Sequence, residues 1–131
     1  MNDETEPAGE LTIRTVARPA DTNSNGDIFG GWVLSQMDLA GGVAGRTRAK
    51  GRVVTVALDA MSFIRSVQVG DVLCVYTEIE STGQSSMKIH VEAYAQRFLT
   101  GLREKVTDAI FTFVAIDENG NPRPLDGETH S

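Results

Sequence analysis

Asp38 is the residue whose chemistry most needs explaining. It follows Met37 and stands four residues after Leu34, on or beside the apolar stripe of a helical pattern. A carboxylate against apolar surface is unfavourable unless it is partnered, and functional sites are where that arrangement recurs. Two readings stand side by side: a catalytic carboxylate, or an edge aspartate bonded to a strand hydroxyl. Upstream, Gly30, Gly31 and Trp32 open the same helical pattern. First-turn amides have no acceptor within their helix, the helix dipole favours negative charge there, and glycine lets a ligand approach the backbone. Such an end can bind an anion or hold the oxyanion of an acyl transfer, or it can simply be a glycine cap. In the preceding loop, Asn23 could hydrogen-bond a carbonyl or close an Asx-turn. Asp27 could cap the turn or the helix, or serve a polar role at the site.

Spacing constrains how these groups cooperate. Gly30 and Asp38 are eight residues apart, about 12 Å along a helix at 1.5 Å per residue. A reacting carbon must lie within about 3.5 Å of its attacker, so amides and carboxylate of one helix cannot share a substrate carbonyl. Two antiparallel copies of the helix across a two-fold axis would bring each N-terminus to the other's Asp38. If Asp38 is catalytic, the site belongs to a homodimer and is shared between its subunits. Gly41, Gly42 and Gly45 would permit close packing, as glycine in a helix costs about 1 kcal/mol relative to alanine and needs a reason. A helix ending at Ala40 is the alternative.

The elements that must position these residues follow from periodicity. Residues 1–9 are acidic and read as a disordered leader, residues 10–118 as a single domain and residues 119–131 as a flexible tail. Alternation marks a strand over 11–18, closed by Pro19. Residues 20–30 are loop, and helical spacing runs over 31–49. Strand patterns then cover 53–63, 72–81, 85–98 and 104–117, with short turns between the last three that make neighbours antiparallel. The expected class is α+β, with one long helix serving a sheet of five to six antiparallel strands.

Composition removes several functions. The chain has 131 residues and net charge −6, so one acidic domain is expected. Basic residues are scattered apart from Arg46, Arg48, Lys50 and Arg52, which argues against a nucleic-acid partner. No run approaches the length of a membrane span. The single cysteine, Cys74, lies in an apolar strand pattern and cannot make an internal disulfide, so the cytoplasm is the expected location. His90 and His130 have no metal-ligand spacing, and no metal is expected.

DTNSNGDIFGGWVLSQMD, followed by GRVVTVALDAMSF, VGDVLCVYTEIESTGQSSMKI and FTFVAID, resembles the hotdog-fold acyl-CoA thioesterases, most closely the YciA-type bacterial enzymes, over roughly residues 10 to 125. The resemblance implies a sheet wrapped around the central helix, a homodimer and commonly a trimer of dimers. It implies acyl-CoA as substrate and no separate cofactor, coenzyme A being part of substrate and product. It puts the general base or nucleophile on Asp38, the oxyanion donor on Gly30 or Gly31 of the partner, and a polar contact on Asn23. Arg52, Val54, Thr55 and Ser62 would line the cleft, with Asp27 near it, and Gly83, Ser85 and Ser86 would meet the pantetheine and nucleotide. Some hotdog thioesterases carry a hydroxyl residue one turn after the acid. Here Gly42 stands there, so water positioning falls to another group such as Thr55 or Asn23. The rival function is a non-catalytic acyl-CoA-binding module; a dehydratase would want a placed histidine.

Overall fold

In the computed structural model, which describes residues 6–126, strand β1 spans Glu10–Val16 and helix α1 spans Gly30–Ala49. Strands β2 to β5 follow at Val53–Leu58, Val72–Thr82, Ser86–Gln96 and Arg103–Ala115. They form one antiparallel five-stranded sheet in the order β1-β3-β4-β5-β2. The helix lies across one face. Its Met37 and Ala40 are fully buried against Met87, Ile89, Val91, Ala93 and Ala95, the alternate residues of central strand β4. The alternate β4 residues that face the helix and the helical stripe make the core on this side, and Glu92 and Tyr94 between them are buried on the other face.

The helix runs unbroken through its glycines, and their role differs from the expected approach of another backbone. A Cβ on Gly41 would stand 2.8 Å from the Phe113 ring, and one on Gly45 would meet Val53, Met87 and Ile89. These glycines admit large side chains of the chain's own sheet beneath the helix, while Gly42 is in ordinary contact range of Phe113. Strand β2 also differs from expectation. Regular pairing with β5 stops at Leu58 although the apolar run continues to Phe63; beyond it the chain follows β5 irregularly, with the Asp59 N–H donating to the Ile110 carbonyl and the Ile64 N–H to the Val106 carbonyl.

The segment after β5 is packed rather than frayed. Ile116 bridges Pro122, Leu125 is buried and donates its N–H to the Gln84 carbonyl, and Arg123 Nη2 donates to the Ala49 carbonyl at 2.7 Å. That guanidinium satisfies a carbonyl at the helix end, a group that helices otherwise leave orphaned. Residues 127–131 lie outside the described residues. Of the leader, residues 1–5 also lie outside, while the Ala8 N–H donates to Glu92.

The opposite face of the sheet is polar and internally paired. His90 bonds Asp108 at 2.7 Å, Lys105 lies 3.4 Å from both Asp108 and Glu92, and Arg103 stacks over Tyr76 and Tyr94. Cys74 is buried there, and burial pushes its thiol up, away from thiolate, despite Arg14 and Arg103 nearby. Burial alone would push the Asp108 carboxyl up too, but hydrogen bonding to His90 and the charge of Lys105 outweigh it and hold it below the usual carboxylate range.

Two outcomes follow. Gly41→Val should destabilise the fold by about 2 kcal/mol, an overpacking cost, with Phe113→Leu recovering part of it, as read from urea midpoints. A lowered Asp108 contributes stability that is present above the ordinary carboxylate range near pH 4 and is lost as pH falls through its folded value. Asp108→Asn should therefore lower the melting temperature more at pH 5 than at pH 3.

Candidate active site

The catalytic candidate sits where α1 passes over edge strand β2. Asp38 is exposed in the single chain, and its Oδ1 accepts a 2.6 Å hydrogen bond from Thr55 Oγ1 of β2. Asp38 thus occupies the edge of the buried stripe, bonded to a strand hydroxyl, as one of the two readings expected. Thr55 reaches it at an irregularity in the β2–β5 pairing between Thr55 and Ala57. Around this pair the surface is apolar. Leu39, Val43, Val54, Val56, Leu58 and Phe63 are each more than a third exposed, and β2 has an exposed side chain at every position after Val53. A polar pair in the middle of a large bare apolar surface on an edge strand marks an interaction surface rather than a solvated face.

The helix N-terminus lies two turns away. Its N-cap is Phe29, whose side chain makes no capping hydrogen bond, so the expected cap at Asp27 is not formed. Trp32 and Val33 bond back to the Phe29 carbonyl, whereas Gly30 and Gly31 are exposed and their N–H groups have no acceptor among the described residues. A Cβ on Gly30 would contact the Phe63 ring at 3.4 Å, and one on Gly31 would meet nothing within 4 Å. A ligand therefore has room against the Gly31 backbone, with Phe63 as an apolar wall.

The other expected residues fall at the two ends of the helix. Asn23 closes an Asx-turn: its Oδ1 accepts from the Asn25 and Asp27 N–H groups at 2.9 and 3.1 Å, and its N–H donates to the Asp27 carbonyl. The side-chain oxygen is thus committed to the loop, and only its amide nitrogen remains for a ligand. Asp27 takes part through its backbone and its carboxylate is exposed. Ser62 is exposed beside Phe63, with its carbonyl accepting from Thr107 Oγ1. At the other end, Gly83, Ser85 and Ser86 form the β3–β4 turn, where the Gly83 N–H donates to Ser86 and the Ser85 carbonyl accepts from Ala115. Val53 pairs with that same Ala115, which places Arg52 beside this end. One chain therefore brings Asp38, Val54 and Thr55 together. It leaves Asn23, Asp27, Gly30, Gly31 and Ser62 at the helix start, and Arg52, Gly83, Ser85 and Ser86 near its finish.

Phe63 was assigned only to a strand by pattern; the aromatic closing an apolar run was the available signal. Among the described residues no cluster of metal-ligating side chains occurs, and no helix is long and apolar enough to cross a membrane.

Comparison with known proteins agrees with this architecture. The thioesterase superfamily profile matches residues 25–97. The acyl-CoA thioester hydrolase YciA of Salmonella typhimurium is 49% identical over 122 residues, covering 91% of this chain and 92% of its own. An uncharacterized acyl-CoA thioester hydrolase of Haemophilus influenzae is 50% identical, covering 93% of this chain and 81% of its own. Among solved structures, the hexameric broad-specificity acyl-coenzyme A thioesterase HI0827 superposes with a TM-score of 0.90 at 49% identity, covering 94% of this chain and 85% of that one. The hexameric thioesterase y2039 of Yersinia pestis gives 0.88 at 50% identity, covering 92% and 98%. One long helix packed across a five-stranded antiparallel sheet is a hotdog domain. The chain belongs to the thioesterase superfamily.

The turn at Asn23 has a direct check. Asn23→Ala should destabilise the protein by about 1 kcal/mol, the usual net worth of a lost hydrogen bond. Asn23→Asp keeps the acceptor and should match wild type in a thermal melt.

Proposed function

We propose that this protein is an acyl-CoA thioesterase, R–CO–SCoA + H2O → R–COOH + CoA–SH, working at a site completed by a second subunit. The observation that carries the reading is Asp38, bonded to Thr55 inside an uncovered apolar surface, on the same helix as two glycine amides that have no acceptor among the described residues and that it cannot use itself. A second copy related by a two-fold axis covers that surface, extends the sheet past β2 and sets its own Gly30 and Gly31 against this Asp38. The hexameric relatives support a trimer of such dimers.

In this arrangement the thioester carbonyl oxygen points at the partner's Gly30 or Gly31 N–H. Negative charge developing on that oxygen is met by a fixed donor at the positive end of a helix, a term of about 3 kcal/mol where it has been measured. Thr55 holds Oδ1 of Asp38, so Oδ2 takes the proton of the attacking water, or attacks the carbonyl carbon itself to form a mixed anhydride that water hydrolyses after CoA has left, restoring the carboxylate and releasing the acid. The tetrahedral intermediate then collapses with loss of the CoA thiolate, which is protonated on release. The apolar walls, Leu39, Val54 and Phe63 among them, exclude bulk water and accept the acyl chain. Asn23 contributes its amide nitrogen from the loop before the helix. The unpaired Cys74 suits a reducing compartment, and the cytoplasm is the location proposed.

Thiol release from acyl-CoA esters of graded chain length tests the activity. Asp38→Asn should lower kcat by about a thousandfold, within the range for a lost general base. Thr55→Val should lower it about tenfold through misplacement of the carboxylate. Saturable CoA binding by wild type without thiol release would instead establish the non-catalytic module. Val56→Asp, which buries a charge in the β2 contact, should reduce the mass in sedimentation and abolish turnover together; a fully active monomer would refute the shared site.

A further inference from the structure

A cleft of about 380 Å3 opens on the sheet face opposite α1, where Cys74 and Tyr76 alternate with the core residues Leu73 and Val75. Strand pairing assembles it: Arg14 of β1 stands opposite Cys74 of β3, and Arg103 of β5 stands opposite Gln96 of β4. No acidic side chain is among its lining residues, although Asp and Glu outnumber Lys and Arg in the chain by 18 to 12. The charges of both guanidinium groups reach Cys74, which lines the cleft and is 5% exposed. Within the cleft Arg14 Nη2 donates to Gln96 Oε1 at 3.3 Å and Arg103 Nη1 to the Tyr76 hydroxyl at 3.1 Å, both neutral acceptors. Two like charges lining one cleft favour an anion between them.

Apolar groups beside the charges narrow the anion. Leu11 of β1 and Leu102 of the β4–β5 turn line the same cleft and are 48% and 61% exposed, and Tyr76 adds its ring. Guanidinium forks match the planar oxygens of a carboxylate, and bare leucines next to them give a hydrocarbon chain apolar surface to cover. An anion without a tail would leave those leucines in water. The volume is that of a small-molecule site, for which about 300 to 1,000 Å3 is usual. Resting on the thioesterase reading, whose product is such a molecule, we infer that this cleft binds a medium-chain fatty carboxylate. Arg14 and Arg103 hold the carboxylate, and Leu11 and Leu102 lie along the chain. The product is thereby held across the sheet from α1, away from Asp38.

Methyl NMR of the leucine-labelled full chain reads the cleft locally. Sodium octanoate should shift the Leu11 and Leu102 methyl signals saturably. Acetate, which lacks the tail, and n-octanol, which lacks the charge, should each bind there about tenfold more weakly, and inorganic phosphate should leave both leucines unmoved. Arg14→Gln and Arg103→Gln should each raise the octanoate Kd about tenfold, as for a lost charge-assisted contact, with kcat on octanoyl-CoA within about twofold of wild type. Arg14 is exposed, so its variant tests the site without disturbing the core. Leu102→Asn keeps both charges and should weaken octanoate about fivefold, read at Leu11, while leaving acetate unchanged. Leucine methyls that do not respond to octanoate, phosphate that binds as tightly as octanoate, or a Kd untouched by Arg14→Gln and Leu102→Asn would overturn the site. Octanoate bound through these arginines in a protein that releases no thiol from acyl-CoA would preserve the cleft and overturn the hydrolase.

Discussion

The rigid separation between the start of α1 and Asp38 is the constraint on which the rest depends. An α-helix advances 1.5 Å per residue, so eight residues keep a carboxylate and the helix's own unpaired amides about 12 Å apart. Acyl transfer needs both within bonding reach of one carbonyl group. No rotamer closes that gap, and bending the helix would disrupt the core formed by Met37, Ala40 and β4. In the proposed dimer a second helix running the other way closes it. The catalytic demand and the oligomeric demand are then the same demand.

That view explains features that look unfavourable in one chain. Strand β2 is exposed on both faces and carries valines and a leucine, a poor design for an isolated sheet edge. Phe29 fills the N-cap position where a Ser, Thr, Asp or Asn would satisfy first-turn amides. Covering the edge with its symmetry mate and giving a free amide an oxyanion would remove both liabilities. Gly41 and Gly45 let Phe113 and its neighbours rise under the helix, which seats α1 low on the sheet with Asp38 level with Thr55 on β2.

What could be read from residue order follows from how local each signal is. Strands β3 to β5 alternate because one face is buried under α1, so their existence and antiparallel order were plain. The end of β2 was not, since the apolar residues after Leu58 look the same whether they pair with a strand or line a surface. The glycines of α1 announced a close approach without identifying Phe113 as the group approaching. Polar composition after residue 118 suggested a loose tail, because Arg123 finds its acceptor on Ala49, 74 residues away, and no local pattern encodes such a contact. Asp38, Thr55 and the glycine amides were legible as types. Asn23 was legible as a turn or a ligand, and its filled side-chain oxygen shows how much of it the turn takes. Arg46 was visible only as one of four basic residues close in sequence. That Arg48 is paired with Asp126, while Arg46 has no acidic partner among the described residues, needed the fold.

The shared site is tested most directly by subunit complementation. Gly30→Pro removes one amide donor at the first helical position, where proline is tolerated, and Phe29 already has the extended ψ of 135° that a following proline requires. Asp38→Ala removes the acid. Each variant alone should be nearly inactive. Mixed after dissociation and reassembly, they should recover about a quarter of wild-type activity, because half the dimers are hybrids and each hybrid holds one intact site of two. No recovery on mixing, with hybrids confirmed by native mass spectrometry, would place both groups in one subunit's site and contradict the account.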